Sequence, residues 1–235
     1  KLIWYGRAMP ARNSIKQYTE NGYYHIYNRG VEKRQIFLDE QDYAVFLSYL
    51  KDYLTPKNEQ ALMEKLSDPD TSYKERDKLI KLLRLNNFFE EITFIAYCLM
   101  PNHFHFFVKQ KSGNSIDKFM QSLATRYTMY FNKKYKRVGS LFQGVYKAVM
   151  VTTETQFIYL TKYIHKQALA SQGETLQDQP SSYPEYLGLR TTSWVHPEEV
   201  LGYFSKINPK LSYKSFVEEQ DEDPSIILKE VGIED

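Results

Sequence analysis

Apolar and polar positions alternate along this chain in two periods. The run Tyr23-Tyr-His-Ile-Tyr-Asn28 reads as a first strand, closed by Arg29-Gly30. Asp39 then precedes Tyr43, Phe46, Leu47, Leu50 and Leu54, apolar positions at helical spacing that Asp39 would cap. Residues 56–88 are charged with scattered Leu at helical intervals, which predicts a helical insertion or hairpin. Ile92 to Met100 is apolar on both faces, as a central strand would be. Pro101-Asn102 is a turn signal, and Met100-Pro-Asn-His-Phe-His-Phe-Phe-Val108 continues into a second strand, so an antiparallel hairpin is expected. Ser115 to Lys136 carries one apolar stripe through Ile116, Phe119, Met120, Leu123, Tyr127, Tyr130 and Phe131, with Arg137-Val-Gly139 ending the helix. Tyr146 to Thr152 predicts a short strand. Thr153-Glu-Thr-Gln156 fits a capping box, and the helix behind it runs to about Ala170 with Phe157, Leu160, Ile164 and Ala168 toward the core. Beyond a polar loop, short helical patterns follow Pro197 and surround Phe216. This order predicts an α+β fold, an antiparallel sheet of the ferredoxin-like or RRM-like kind with helices on its faces.

Hydrophobic residues make up 42% of the 235, enough for a packed core. The net charge of +2 hides strong segregation. From Lys109 to Lys147 nine basic residues face one acid, Asp117, whereas Phe216 to Asp235 holds eight acids against Lys229. The middle suits a polyanion and the tail does not. Tyr is abundant, at 20 residues, and its ring serves both wet surfaces and stacking on unpaired bases. A single Cys98 in an apolar run excludes an internal disulfide and reads as a buried thiol. No stretch approaches the roughly 20 apolar residues of a membrane span, and no signal-peptide pattern opens the chain, so an intracellular, cytoplasmic protein is expected.

His103 and His105 stand two apart on the second hairpin strand, so both imidazoles project to one face while Phe104, Phe106 and Val108 project to the other. One rigid element thereby offers two metal ligands. On the following helix, Tyr159, Tyr163 and Gln167 recur at steps of four and share a face opposite the core stripe. Gln167 presents an amide oxygen, a suitable ligand for hard cations such as Mg²⁺ or Mn²⁺. His103, His105 and Gln167 would together leave coordination positions open for phosphate oxygens and water. The same spacing also serves histidines satisfied in a core and tyrosines half-buried on a helix, and spacing alone leaves both readings open.

Several stretches share one further property. Tyr24-His-Ile-Tyr-Asn-Arg-Gly30, the entry from Ile36-Phe37 to Asp42 and Phe46, Leu99-Met-Pro-Asn-His-Phe-His105, the segment Tyr127 to Phe142 with Asn132, Lys133, Arg137 and Gly139, Tyr163-Ile-His165, and Ser181-Ser-Tyr-Pro-Glu-Tyr186 resemble, as a set, the single-tyrosine HUH transposases. The resemblance is closest to the REP-associated tyrosine transposases and their insertion-sequence relatives, and it spans roughly residues 20 to 220. It implies an HUH nuclease domain over residues 1–175, with the helical insertion at about 55–88, and a C-terminal extension over 176–235 with an acidic tail. It further implies metal-dependent cleavage and rejoining of single-stranded DNA, at hairpins of the REP or element-end kind, through a 5′-phosphotyrosine on Tyr163. His103, His105 and Gln167 would hold Mg²⁺ or Mn²⁺. Arg29, Lys118, Arg126, Lys133, Lys134, Lys136, Arg137 and Lys147 would grip phosphates. A nucleoid-associated protein acting as a monomer or homodimer is expected. Two departures stand out: Gln167-Ala168 replaces the commoner Asn-Pro ending, which lets the helix continue, and the insertion from Thr55 to Asn87 is longer than the resemblance predicts.

The other function class compatible with these residues is a domesticated, non-catalytic protein that binds single-stranded DNA or RNA through an aromatic sheet face. Retention of His103, His105, Tyr163 and Gln167 together speaks against it, because binding alone needs none of them as a set. A histidine-triad enzyme would need a third alternating histidine where Phe107 stands. One cysteine does not make a zinc module, and no Gly-x-x-x-x-Gly-Lys loop is present for ATP.

Overall fold

Pro101 and Asn102 turn the chain between β2 (Ile92–Met100) and β3 (His103–Gln110), which pair antiparallel as the sequence predicts. The computed structural model describes residues 18–170 and 180–219. The acidic end and most of the polar loop after Ala170 lie outside those residues, as does the expected boundary at 175/176. β3 pairs on its other side with β1 (Tyr23–Arg29), and β1 pairs with β4 (Lys147–Val151), all antiparallel, giving the strand order β2-β3-β1-β4. That is the ferredoxin-like arrangement, an α+β fold with layers on both sheet faces.

Alternation along β1 and β3 assigns the two faces. Tyr24, Ile26, Phe104, Phe106 and Val108 enter a core completed by α1 (Glu40–Leu54) and α4 (Ser115–Lys134). Phe107 and Val151 enter a second core under α5 (Glu154–Ala170). The helix signals act as predicted. The Asp39 side chain accepts from the Asp42 N–H, and Thr153 and Gln156 exchange reciprocal bonds in a capping box. The insertion is a helical pair, α2 (Glu59–Ser67) and α3 (Tyr73–Arg84). α4 ends two residues earlier than its pattern suggests, because Lys136 adopts φ +51°. Three short helices, α6 (Tyr183–Tyr186), α7 (Glu198–Leu201) and α8 (Tyr213–Glu218), complete the described chain.

Two expectations are corrected. β2 is an edge strand, not a central one. It is apolar on both faces because helices cover both, and its open edge is shielded by the C-terminal extension. Leu99 N–H donates to Pro180 O, Ser182 N–H to Tyr97 O, Tyr97 N–H to Ser182 Oγ, and His196 N–H to Phe94 O. This shielding is how an apolar edge avoids pairing with another chain. The tyrosine face of α5 is also not opposite the core. Residues Thr161 to His165 are all buried, since the sheet lies against one side of α5 and α8 against the other.

Candidate active site

β1 and β3 are the two inner strands, and their register sets Tyr27 opposite His105 and Arg29 opposite His103. Paired residues share a sheet face, so His103, His105, His25, Tyr27 and Arg29 occupy the face that also carries α5. His103 and His105 stand edge to face with ring centres 4.9 Å apart, which meets the expectation of two imidazoles on one side. His105 is almost wholly buried. Burial holds its imidazole well below the ordinary range, and the neighbouring His25 and His103 act in the same direction, so it stays neutral.

His25 is a neighbour of the histidine pair that sequence reasoning did not single out. It is fully buried, its Nε2 lies 2.9 Å from His105 Nδ1, and the two rings run nearly parallel. Tyr27 stacks on both, with ring centres 5.0 Å from His25 and 5.9 Å from His105. The available signals were alternation with Tyr23 and Tyr27 and a place in the Tyr24–Gly30 stretch that carries the resemblance, and both need the β1–β3 register before they become a contact. His103 is held from its own turn, where Nδ1 lies 2.6 Å from Asn102 Oδ1. The turn is in turn fixed by Gly30, whose N–H donates to Asn102 O. A Cβ at Gly30 would come within 2.2 Å of Arg34 O, so this close approach requires glycine.

Tyr163 closes the cluster from α5. Its ring stands edge-on to His105 at 5.4 Å and to His25 at 6.2 Å. The helix cannot easily turn about its axis. Two residues on, His165 bonds through Nδ1 to the Tyr213 hydroxyl at 2.6 Å and through Nε2 to Ser182 Oγ at 2.8 Å. Burial pushes the His165 pKa down to about 3, so this link is made by a neutral ring. Gln167 is half-buried one turn beyond Tyr163 on the same helix.

Among the described residues no group of three His, Cys, Asp or Glu side chains is arranged to hold a metal. A cation here would therefore need the Gln167 amide in addition to His103 and His105. The histidine pair suits that role, since each Nδ1 faces a neighbouring polar atom and Nε2 is the ring nitrogen that would serve a cation. Two imidazoles with an amide oxygen suit a borderline-to-hard divalent ion. Cys98, opposite His105 on β2, is buried, and desolvation raises its thiol well above the usual range, which keeps it protonated.

The basic residues divide between the two layers. α4 packs against the opposite sheet face, so Lys118, Arg126, Lys133 and Lys134 lie across the sheet from the histidines. Lys134 bonds to both Asp39 and the fully buried Asp42, at 2.7 and 2.8 Å. Arg126 bonds to Asp52 at 2.8 Å and stacks 3.7 Å over Tyr49. Arg137 bonds to Asn132 Oδ1. Lys118, Lys133 and Lys136 are exposed. On the histidine face, Arg29 donates to Gln143 Oε1, and exposed Lys147 sits 5.6 Å over the Tyr27 ring.

No helix among the described residues is long and apolar enough to cross a membrane. No curated protein sequence matches the chain. Among solved structures, the chain is similar to a REP-associated tyrosine transposase bound to a REP hairpin, at 10% identity and TM-score 0.44, covering 78% of this chain and 96% of that one. It is also similar to a candidate transposase from Deinococcus radiodurans R1, at 15% identity and TM-score 0.32, covering 66% of this chain and 97% of that one. Residues 72–167, the segment that carries His103, His105, Tyr163 and Gln167, match the family described as Transposase IS200 like.

Proposed function

We propose that the protein is a transposase that cleaves and rejoins single-stranded DNA, at hairpin-forming ends, with Tyr163 as nucleophile. The observation that carries this reading is the approach of the Tyr163 ring to His105, beside His103, within the segment that matches the IS200-like family. In the reaction the Tyr163 oxygen attacks a backbone phosphorus. A bond from phosphorus to the tyrosine oxygen forms, and the bond to the 3′-oxygen breaks. The DNA 5′ end remains on the protein as a phosphotyrosine, and the phenolic proton is balanced by protonation of the departing 3′-oxygen. The phosphodiester energy is retained, so a second 3′-hydroxyl can reverse the step without ATP.

An ordinary phenol, with a pKa of about 10, is a weak nucleophile at neutral pH. Mg²⁺ or Mn²⁺, held by His103, His105 and Gln167, would polarise the scissile phosphate and offset the charge that develops there. The burial of Tyr163 against two imidazoles limits its orientations before DNA arrives. Arg29 and Lys147 flank the histidines and meet the phosphates on either side, while Tyr27 offers its ring to an unpaired base.

The test is a denaturing gel of protein incubated with Mn²⁺ and labelled hairpin oligonucleotides. A covalent protein–DNA band is expected, together with a shortened strand ending in a 3′-hydroxyl. Binding without any adduct would replace this reading with that of a non-catalytic DNA-binding protein.

The division of basic residues gives a further expectation. Arg29→Ala and Lys147→Ala should each lower the slope of log affinity against log salt by about 0.7, the value of one lost single-strand phosphate contact. Lys134→Ala should leave that slope unchanged. Instead it should cost about 1–3 kcal/mol of stability, because it strips a cation from buried Asp42. A salt titration and a urea melt on each variant separate the two effects.

A further inference from the structure

We infer that Asn102 and His25 are positioning residues that fix the tautomers of His103 and His105, so that both imidazoles present Nε2 to the divalent cation. The inference rests on the metal site proposed above and adds its outer partners. The Asn102 amide is oriented by its own contacts. Its Nδ2 donates to the Lys33 carbonyl at 3.4 Å, which turns Oδ1 toward His103 Nδ1 at 2.6 Å. An amide oxygen only accepts, so the ring nitrogen facing it bears the proton. A neutral His103 then carries its lone pair at Nε2.

His105 has no carbonyl or carboxylate at that position. Its Nδ1 meets the Nε2 of His25, and an imidazole nitrogen can serve either as donor or as acceptor. In the metal-free protein the proton can sit on either side of this contact. Were His105 to hold a cation through Nε2, its proton would stay on Nδ1 and be donated in the hydrogen bond to His25 Nε2. The proton of His25 then lies on Nδ1. His25 is fully buried and packs against both the His105 and the Tyr27 ring, which holds it in this role. A residue that merely filled this space could equally be phenylalanine, which has the same shape and no acceptor. Outer partners of this kind raise ligand basicity and hold ring orientation.

The full-length chain is titrated with Mn²⁺ in the absence of DNA and followed by electron paramagnetic resonance. Wild type is expected to bind, and His103→Ala or His105→Ala to lose binding. His25→Phe and Asn102→Leu should weaken binding about 10- to 100-fold, as loss of such partners does elsewhere. His25→Gln and Asn102→Asp, which restore an acceptor, should recover most of it. Nitrogen-15 spectra of the Mg²⁺-loaded wild type should show His103 and His105 protonated at Nδ1, and this readout needs no variant to fold. Wild-type affinity in both His25→Phe and Asn102→Leu, or protonation at Nε2 in the loaded protein, would overturn the inference while leaving the metal site standing. Failure of wild type to bind Mn²⁺, or undiminished binding by the His103 and His105 variants, would remove the metal site itself and the inference with it.

Discussion

Tyr163→Phe is expected to abolish the covalent protein–DNA adduct while hairpin affinity stays within a few-fold of wild type. The substitution removes one hydroxyl and keeps the ring that packs against His105 and His25. Without the phenolic oxygen no atom of α5 can attack phosphorus from that position. Two other tyrosines compete for the role and serve as controls. Tyr159 precedes Tyr163 by four residues, about 6 Å along the helix axis, and its ring packs edge-on against Phe216 at 5.2 Å, away from the histidines. Reacting atoms must come within about 3.5 Å, so Tyr159→Phe should retain cleavage. Tyr27 lies inside the cluster, stacked on His105, and its phenol is the closer rival. Tyr27→Phe should retain adduct formation with weaker DNA binding. An adduct that persists in Tyr163→Phe and vanishes in Tyr27→Phe would move the nucleophile to β1 and remove the reason for assigning Gln167 to the metal.

A chain ending at residue 175 is expected to lose cooperative folding, despite keeping the whole sheet, both histidines and Tyr163. The C-terminal extension belongs to both cores. Trp194 and Val195 lie in the core of α1 and α4, with Trp194 5.5 Å from Phe94 and 5.4 Å from Tyr97. Tyr183, Tyr186, Val200, Tyr213 and Val217 pack in the core of α5. Each large buried side chain stabilises by about 1.5–3 kcal/mol, so these together contribute on the order of 10 kcal/mol. That is comparable to the roughly 5–15 kcal/mol by which whole domains are stable. Truncation would also uncover the β2 edge and leave His165 buried without Ser182 and Tyr213. Thermal unfolding followed by near-UV circular dichroism reads the result. A sharp transition near the full-length midpoint would show that the extension is dispensable.

Features that depend on neighbours along the chain were legible without the fold. Alternation, one unbroken apolar run (Ile92–Met100) and helical stripes marked the four strands and the main helices of the described residues, because these patterns are local consequences of backbone geometry. The Thr153–Gln156 box and the Asp39 cap were legible because each bond closes within three or four residues. The pairing of His103 and His105 on one face followed from strand alternation alone. What joins distant segments was decided only in three dimensions. The apolar run of β2 records cover on two faces and says nothing of its place in the sheet, so an edge strand and a central one look alike until the extension is seen along its free edge. The basic excess of α4 was visible, but the face of the sheet it serves depends on which stripe is buried against which layer, and the buried Asp42 that holds Lys134 lies 92 residues away. His25 is 80 residues from His105, and although it lies in the Tyr24–Gly30 stretch that carries the resemblance, nothing in that stretch says that it meets His105. It enters the site because antiparallel register carries β1 past β3 and brings the two buried rings within hydrogen-bond distance.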